Sequence, residues 1–395
     1  MKKVTLFDTT LRDGEQAPGN TMSISDKVNI YKQIHFSGVD IVEAGFPAVS
    51  EEHIEVVKSI SKLELGKLCV FARAKKDDID IAYNSLLETH PHQIQIAFTG
   101  SEIHLDHKRK ITENQSLNEI AESIHYAKSK GFNDISAGLE DATRGSFSYL
   151  KKVVDKAIIS GAKTIVLADT VGYSIPSEIT QLVEFIRSFI PSDINLSIHC
   201  HNDLGLATAN SLSALKAGAN SVQTTFCGIG ERAGNTAIEE LVCALHVKKD
   251  YYNISHNIDM KLMYSICNSV AKATKNIISR NKPIIGENAF STESGIHLHG
   301  MISCPTTYEC LNPIDLGRER KLILGKHSGR RMTKKILNDN GILLSEDEIS
   351  LLHKFIMKST NPSVYLKKRM LLSAVHNCLD INEKKLIENY DEITC

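Results

Sequence analysis

Two histidines spaced two apart, His199 and His201 in the stretch LSIHCHNDLGLATAN (196–210), carry the clearest chemical signal in the chain. Leu196, Ile198 and Cys200 alternate with Ser197, His199 and His201, the period of two that a strand imposes. Both imidazoles then project from one face with Cα atoms ~6.5–7 Å apart, at ~3.3 Å per residue, so they can converge on one ion. The competing reading is a pair of packed histidines at a strand end, each bonded to a carbonyl. Asn202 and Asp203 read as caps of a helix over 204–215, which puts the histidines at the carboxyl end of their strand. In parallel α/β folds that end carries the active site.

Other segments bring suitable groups to equivalent places. FDTTLRDGEQ (7–16) offers Asp8 as a carboxylate ligand and Arg12 as a cation for a charged oxygen; the bland alternative is a capping Asp and a surface Arg. Glu43, Glu140-Asp141 with Arg144 nearby, and Asp169-Thr170 close three further runs. GIGERAGN (228–235) closes another, where Gly228, Gly230 and Gly234 let the backbone approach a ligand and Asn235 offers a neutral oxygen. Asp8, His199, His201 and Asn235 together make a two-nitrogen, two-oxygen set for one divalent cation, and Zn²⁺, Mn²⁺, Mg²⁺ and Co²⁺ all suit it. An open-sided ion is a Lewis acid, and an Arg among carboxylates beside it points to enolate or carbonyl chemistry.

These residues need a fold that gathers strand ends. From residue 4 a unit repeats eight times: a short apolar or β-branched run, a polar or glycine-containing turn, then a helix-period segment. The runs are Val4–Phe7, Val39–Glu43, Leu68–Phe71, Gln93–Phe98, Asp134–Ala137, Thr164–Ala168, Asn195–Cys200 and Ser221–Phe226. Helices are expected to start at Ser25, Ser50, Ser116 (with Glu119 as a capping box) and Ser177, and several to end at Gly38, Gly131, Gly161 and Gly218. Eight regular alternations favour an α/β fold of the (β/α)8 TIM-barrel type over an open doubly wound sheet. The barrel is expected over residues 1–280, including helices over 257–279. A Gly/Pro/His-rich linker subdomain follows over 281–329, and a small helical region over 330–395 with Ile336, Leu343, Ile349, Leu352 and Ile356 as apolar positions. The linker is too long to be idle, so it is expected to cover the active site.

Composition bounds the partners. The 395 residues are 42% apolar with a net charge of −1 and no basic block, so neither nucleic acid nor a membrane surface is an expected partner. Nine cysteines are scattered, several inside apolar runs as at Cys69, Cys200 and Cys243, which suits buried thiols in a reducing cytoplasm. No stretch has signal-peptide or membrane-span character. His90 and His92 read as a surface turn.

FDTTLRDGEQ, EAGFPAVS, ADTVGY, HCHNDLGLATAN, GIGERAGN, SGIH and LGKHSGR, in this order over about residues 3–330, closely resemble the 2-isopropylmalate synthase and homocitrate synthase family. The resemblance implies a Claisen-type condensation of an acyl-CoA, usually acetyl-CoA, with a 2-oxo acid, then thioester hydrolysis, as in leucine biosynthesis. It implies a homodimer whose linker subdomain reaches over the partner's active site. Residue by residue, it makes Asp8, His199, His201 and Asn235 the metal set and gives the oxyanion to Arg12 and the substrate carboxylate to Thr170. Glu140, His297 and Tyr308 become proton-transfer residues, and Gly228, Gly230 and Gly234 approach CoA.

The chain departs from the family pattern where it carries Gln95 for a usual His, Ala97 for a usual Phe or Tyr, and His299 before Gly300 in place of an Asp-Gly continuation. The leucine-binding regulatory region of longer members is not expected. Ala97, Gly138, Leu139 and Val166 are the expected small, apolar lining for the oxo acid, with Arg144 and Gln95 the groups that would hold a second carboxylate. The lining favours a monocarboxylic, apolar 2-oxo acid; 2-oxoglutarate is the alternative. A related acyl-CoA lyase would share the metal site but carries a cysteine inside the glycine-rich loop, which GIGERAGN lacks. A non-catalytic metal-binding scaffold would have no use for Arg12, Glu140, His297 and Tyr308.

Overall fold

Alternation within each short apolar run decides the architecture. In the computed structural model, which describes residues 1–87, 92–294, 297, 300–301 and 303–379, eight runs form parallel strands. They are β1 (Thr5–Asp8), β2 (Ile41–Gly45), β3 (Lys67–Arg73), β4 (Gln93–Thr99), β5 (Asp134–Glu140), β6 (Thr164–Asp169), β7 (Asn195–Cys200) and β8 (Ser221–Thr224). Each pairs with its neighbours in sequence, and β1 also pairs with β8, Thr5 opposite Ser221 and Asp8 opposite Thr224, so the sheet closes into a barrel. Closure excludes the open-sheet alternative.

One side of every strand is apolar and buried against the helices: Leu6, Val42, Leu68, Val70, Ile94, Ile96, Ile165, Leu167, Leu196, Ile198 and Val222 belong to the main core. The other side faces the barrel interior, where Thr5, Gln93, Ser136, Thr164, Ser197 and Ser221 surround a small polar space, and Phe7, Ile41 and Cys69 form an apolar plug. Leu139 takes the outward phase, so it packs in the main core and, contrary to expectation, does not line the cavity at the barrel mouth.

The helices alternate with the strands: α1 (Ile24–Phe36), α2 (Glu51–Ser61), α3 (Lys76–Asn84), α4 (Glu113–Lys130), α5 (Phe147–Ser160), α6 (Pro176–Arg187), α7 (Ala207–Ala217) and α8 (Ile238–Val247). Ser50 caps α2 through His53 N–H, as expected. Three other starts differ. Ser23 rather than Ser25 caps α1, and Thr112 with Gln115 forms the capping box of α4. Ser116 lies inside α4, where its hydroxyl meets Tyr149 Oη at 3.0 Å. Pro176 opens α6 after Ile175, so Ser177 is interior. Gly131 and Gly161 terminate α4 and α5 at φ +111°, a conformation that costs glycine least.

Beyond α8, the expected helical stretch 257–279 narrows to Met263–Ala273, entered through a short turn at Met260–Leu262. The chain divides into two compact units, Met1–Ile278 with Pro283–Ile285, and Ser279–Lys282 with Gly286–Cys395, the latter described to residue 379. Within the second unit, Ser291–Thr292 pairs in parallel with Lys321–Leu322. Helices Arg330–Asp339, Glu346–Met357 and Lys368–Leu379 close over Ile336, Ile349, Leu352 and Ile356. Leu343 is 63% exposed between two of these helices and is not part of that core. The rest of the expected helical region, residues 380–395, lies outside the described residues, as do His90 and His299. Among the described residues no helix is long and apolar enough to cross a membrane.

Candidate active site

The inward phase of β7 delivers His199 into the barrel mouth, and the backbone carries on one step so that His201 N–H donates to Asp169 O at 3.3 Å. The two rings meet edge to face with their Nε2 atoms 3.2 Å apart. Asp13 completes the group: its Oδ2 lies 3.6 Å from His199 Nε2, and one ligand atom from each of the three residues falls within 4.8 Å of the others. All three are buried.

The carboxylate in this cluster is Asp13, not the expected Asp8. Asp8 lies next to Phe7, which points into the barrel, so the strand period turns Asp8 away from the interior. Its oxygens accept from Thr10 N–H at 3.0 Å and Thr10 Oγ1 at 2.9 Å, and burial pushes its carboxyl up to about 7. Asp13 arrives by a tight turn in which the N–H groups of Arg12 and Gly14 both donate to Thr9 O. Burial opposes the charge on Asp13, but Arg12 and both histidines more than offset it and hold its carboxyl well below the usual range.

Burial also pushes His199 down to about 3, so the imidazole is neutral and carries a lone pair. His201 is shifted in the same direction, chiefly by burial. Both Nδ1 atoms and Asn235 Oδ1 are buried without a hydrogen-bond partner. Asn235 is held beside the cluster, its Nδ2 donating to Asp13 Oδ1 at 2.9 Å and to Ile229 O at 3.2 Å. Two neutral imidazoles with their Nε2 atoms converging, an ionised carboxylate and an unsatisfied amide oxygen form a donor set that a divalent cation satisfies.

Arg12 sits above this set as expected. Its Nε donates to Glu43 Oε2 at 2.6 Å, its Nη1 to Asp13 Oδ2 at 2.9 Å, and its guanidinium lies 4.6 Å from the Phe71 ring centroid. Glu43 is fully buried and also accepts from Thr9 Oγ1 at 2.5 Å. These contacts use Nε and Nη1, the latter also 3.3 Å from Gln16 Oε1, and leave Nη2 without a partner among the described residues.

Cluster and guanidinium open into a cavity of about 490 Å³. Its floor is an amide pair made across the barrel, Gln223 Nε2 donating to Gln95 Oε1 at 2.6 Å. Ala97, Gly138, Val166 and Ala168 form a small-residue wall, and Glu140, Thr170 and Glu231 stand around the opening.

Residues 3–270 match the family described as HMGL-like. The chain belongs to that family. Residues 284–361 of this HMGL-like enzyme match the homocitrate synthase post-HMGL domain-like family. Over 353 residues the enzyme is 43% identical to the 2-isopropylmalate synthase of Aquifex aeolicus, covering 88% of this chain and 68% of that one. Over 354 residues it is 43% identical to 2-isopropylmalate synthase 1 of Caldanaerobacter subterraneus subsp. tengcongensis, covering 89% of each. Among solved structures, the Bacillus subtilis HMG-CoA lyase superposes with a TM-score of 0.62 at 20% identity over 71% of this chain and 97% of that one. That likeness concerns the barrel fold.

The remaining expected residues of this HMGL-like enzyme fall into distinct surroundings. Glu140 ends β5 and receives Lys108 Nζ on both oxygens at 2.5 Å, with His104 Nδ1 at 3.6 Å. Thr170 Oγ1 accepts from Asp141 N–H at 2.8 Å. Arg144, expected beside the substrate, donates instead to Asp141 Oδ1 at 2.7 Å and does not line the cavity. His297 and Tyr308 belong to the second unit, where their ring centroids are 4.2 Å apart. Gly230 and Gly234 have an internal reason to be glycine: a Cβ on Gly230 would land on Asn235 Nδ2, and one on Gly234 on Gly228 O.

Among the groups at the site that the sequence did not single out are Asp13, His104, Lys108 and Gln223. Asp13 was hidden behind the strand-end aspartate. Lys108 and His104, four apart, share one face of the π-helical turn His104–Arg109, a spacing that could have flagged them. Gln223 meets a partner 128 residues away, which no local pattern shows.

Proposed function

We propose that this enzyme condenses acetyl-CoA with a monocarboxylic, apolar 2-oxo acid in a divalent-cation-dependent Claisen-type reaction and then hydrolyses the thioester. The observation that carries the reading is the buried Asp13, His199 and His201 cluster beneath Arg12 at the base of an open cavity. Asp13, His199 and His201, with Asn235 Oδ1 as a fourth contact, would hold the ion, which when bound polarises the ketone of the oxo acid as a Lewis acid. Arg12, whose Nη2 has no partner among the described residues, would donate to the oxygen that gains charge as the carbon–carbon bond forms. Thr170, whose Oγ1 already accepts from Asp141, has its hydroxyl proton available for the substrate carboxylate. Glu140, His297 and Tyr308 are assigned the proton transfers from the acetyl methyl group and from water, with Lys108 holding Glu140 in place. The glycines of the 228–235 loop are assigned to the CoA side.

The small wall at Ala97, Gly138 and Val166 supports an apolar substrate tail, and Arg144 is committed to Asp141. Arg73, Lys75, Lys108 and Arg109 also line the cavity and favour 2-oxoglutarate as the second reading. Three of them already hold carboxylates: Arg73 with Asp78, Lys108 with Glu140 and Arg109 with Glu119. A panel of 2-oxo acids with acetyl-CoA, read as free CoA thiol, tests the proposal. An extra buried methylene is worth about 0.8 kcal/mol, and a hydrophobic pocket discriminates one by roughly 10–200-fold. Acids one or two carbons longer than 2-oxoisovalerate are therefore expected to match or exceed it in kcat/KM, and Ala97→Phe to reverse that order. Turnover of 2-oxoglutarate alone, abolished by Lys75→Ala, would replace this reading with the second.

A further inference from the structure

The glycine-rich loop after β8 carries one side chain with its own task. Arg232 adopts φ +57°, a left-handed backbone conformation unfavourable for any side-chain-bearing residue. Its Nε donates to Asp203 Oδ1 at 2.7 Å and its Nη2 to Asp203 Oδ2 at 2.9 Å, a two-pronged pairing. The same Nη2 donates to the backbone carbonyl of Thr170 at 2.6 Å. Asp203, expected as a helix cap, is therefore taken up elsewhere; Asn202 Oδ1 accepts from Ala207 N–H at the start of α7 instead.

We propose that Arg232 is a positioning residue that fixes Thr170 for the substrate carboxylate, with Asp203 as its anchor. The inference rests on the reading of Thr170 given above. Thr170 is gripped from two sides: Asp141 N–H on its hydroxyl oxygen and Arg232 on its carbonyl. The turn that follows packs directly on the anchor, since a Cβ on Gly172 would fall on Asp203 Oδ2 and lie 2.8 Å from Asp203 N. Three loops, after β6, β7 and β8, are thereby tied at one point.

Stability is a poor reason for this arrangement. The Arg232 and Asp203 side chains are 41% and 26% exposed, and ion pairs so placed contribute little, while the left-handed backbone is unfavourable. Geometry at Thr170 is what the contact secures. The guanidinium fork is essential, because one ammonium cannot span both Asp203 oxygens and the Thr170 carbonyl.

The test is calorimetric binding of 2-oxoisovalerate or 2-oxoglutarate, whichever the Mn²⁺-loaded full-length enzyme takes, to wild type, Arg232→Gln, Arg232→Lys and Thr170→Val. Both arginine variants are expected to weaken oxo-acid binding by about tenfold or more, since a misplaced donor forfeits its hydrogen bond. Mn²⁺ affinity and the KM for acetyl-CoA should stay within about twofold, and the double variant Arg232→Gln/Thr170→Val should bind no worse than Thr170→Val alone. Unchanged oxo-acid binding in Arg232→Gln, full rescue by Arg232→Lys, or a parallel loss of Mn²⁺ affinity would overturn the proposal. Wild-type binding by Thr170→Val would instead remove the role assigned to Thr170, a separate failure.

Discussion

Two aspartates near the start of the chain show how much one residue's surroundings decide. Asp13 faces both histidines and Arg12, whereas Asp8 is fully buried, bonds to Thr10 and has the Glu43 carboxylate, not a cation, as its charged neighbour. Asp13→Asn is expected to lower Mn²⁺ affinity by more than about a hundredfold, while Asp8→Asn leaves it within a few-fold, both read by equilibrium titration. The pH dependence separates them again. Burial raises the Asp8 carboxyl from 3.8 to about 7 in the fold, so the protonated form is the one the fold favours. That stabilisation is complete below the unfolded value and is lost as pH rises through the folded one. Chemical denaturation should find Asp8→Asn more stable than wild type at pH 8, by on the order of 2 kcal/mol, with the gap closing toward pH 4. A gap that widens on acidification would contradict the assignment of burial as the cause.

At the scale of elements, the 228–235 loop does what a strand cannot, turning back so that Asn235 reaches Asp13 and bridges to His201. Gly230 makes room for this, at φ +155° with Asp13 Oδ1 3.1 Å from a built Cβ and Asn235 Nδ2 closer still. Gly205, by contrast, has φ +73° and nothing within 4 Å of its Cβ position. Gly205→Ala should therefore pay only the backbone cost, about 1 kcal/mol, and leave Mn²⁺ binding alone. Gly230→Ala should cost roughly 1–3 kcal/mol and weaken Mn²⁺ binding by at least about tenfold, because Asn235 must move. Equal metal affinity in the two variants would show that the loop does not position the ligand set.

For the molecule as a whole, the proposed cation would be linked to the fold through residues far apart in sequence. Asp13 comes from the segment after β1, the histidines from β7 and its end, and Asn235 from the loop after β8. An ion bound by all of them binds the folded chain and not the unfolded one, so it stabilises the barrel by mass action. At a free Mn²⁺ concentration of about 100 times Kd the gain is about 2.7 kcal/mol. Thermal unfolding should shift upward by several degrees with Mn²⁺, reverse with chelator, and show no such shift in His199→Ala. A chelator-treated enzyme with full turnover would refute the cation-dependent mechanism.

Much of this was legible because it is local. The alternation that places Leu196 and Ile198 outward and His199 inward belongs to six consecutive residues, and the same phase recurs in all eight barrel strands. Eight such strands separated by helices leave closure as the economical way to pair every strand, so the barrel and the His-x-His face could be read without coordinates. Strand phase also held the warning that Asp8, beside inward Phe7, could not reach the site. What the chain alone left open lies in turns and across the barrel. The fold over Thr9 that swings Asp13 into place, the capture of Arg144 by Asp141, the diversion of Asp203 to Arg232 and the Gln95–Gln223 pair all join residues whose meeting depends on distant segments. A period assigns a side chain to a face; only packing decides which polar group waits there, because a buried donor or acceptor takes the partner that the closed structure brings within reach.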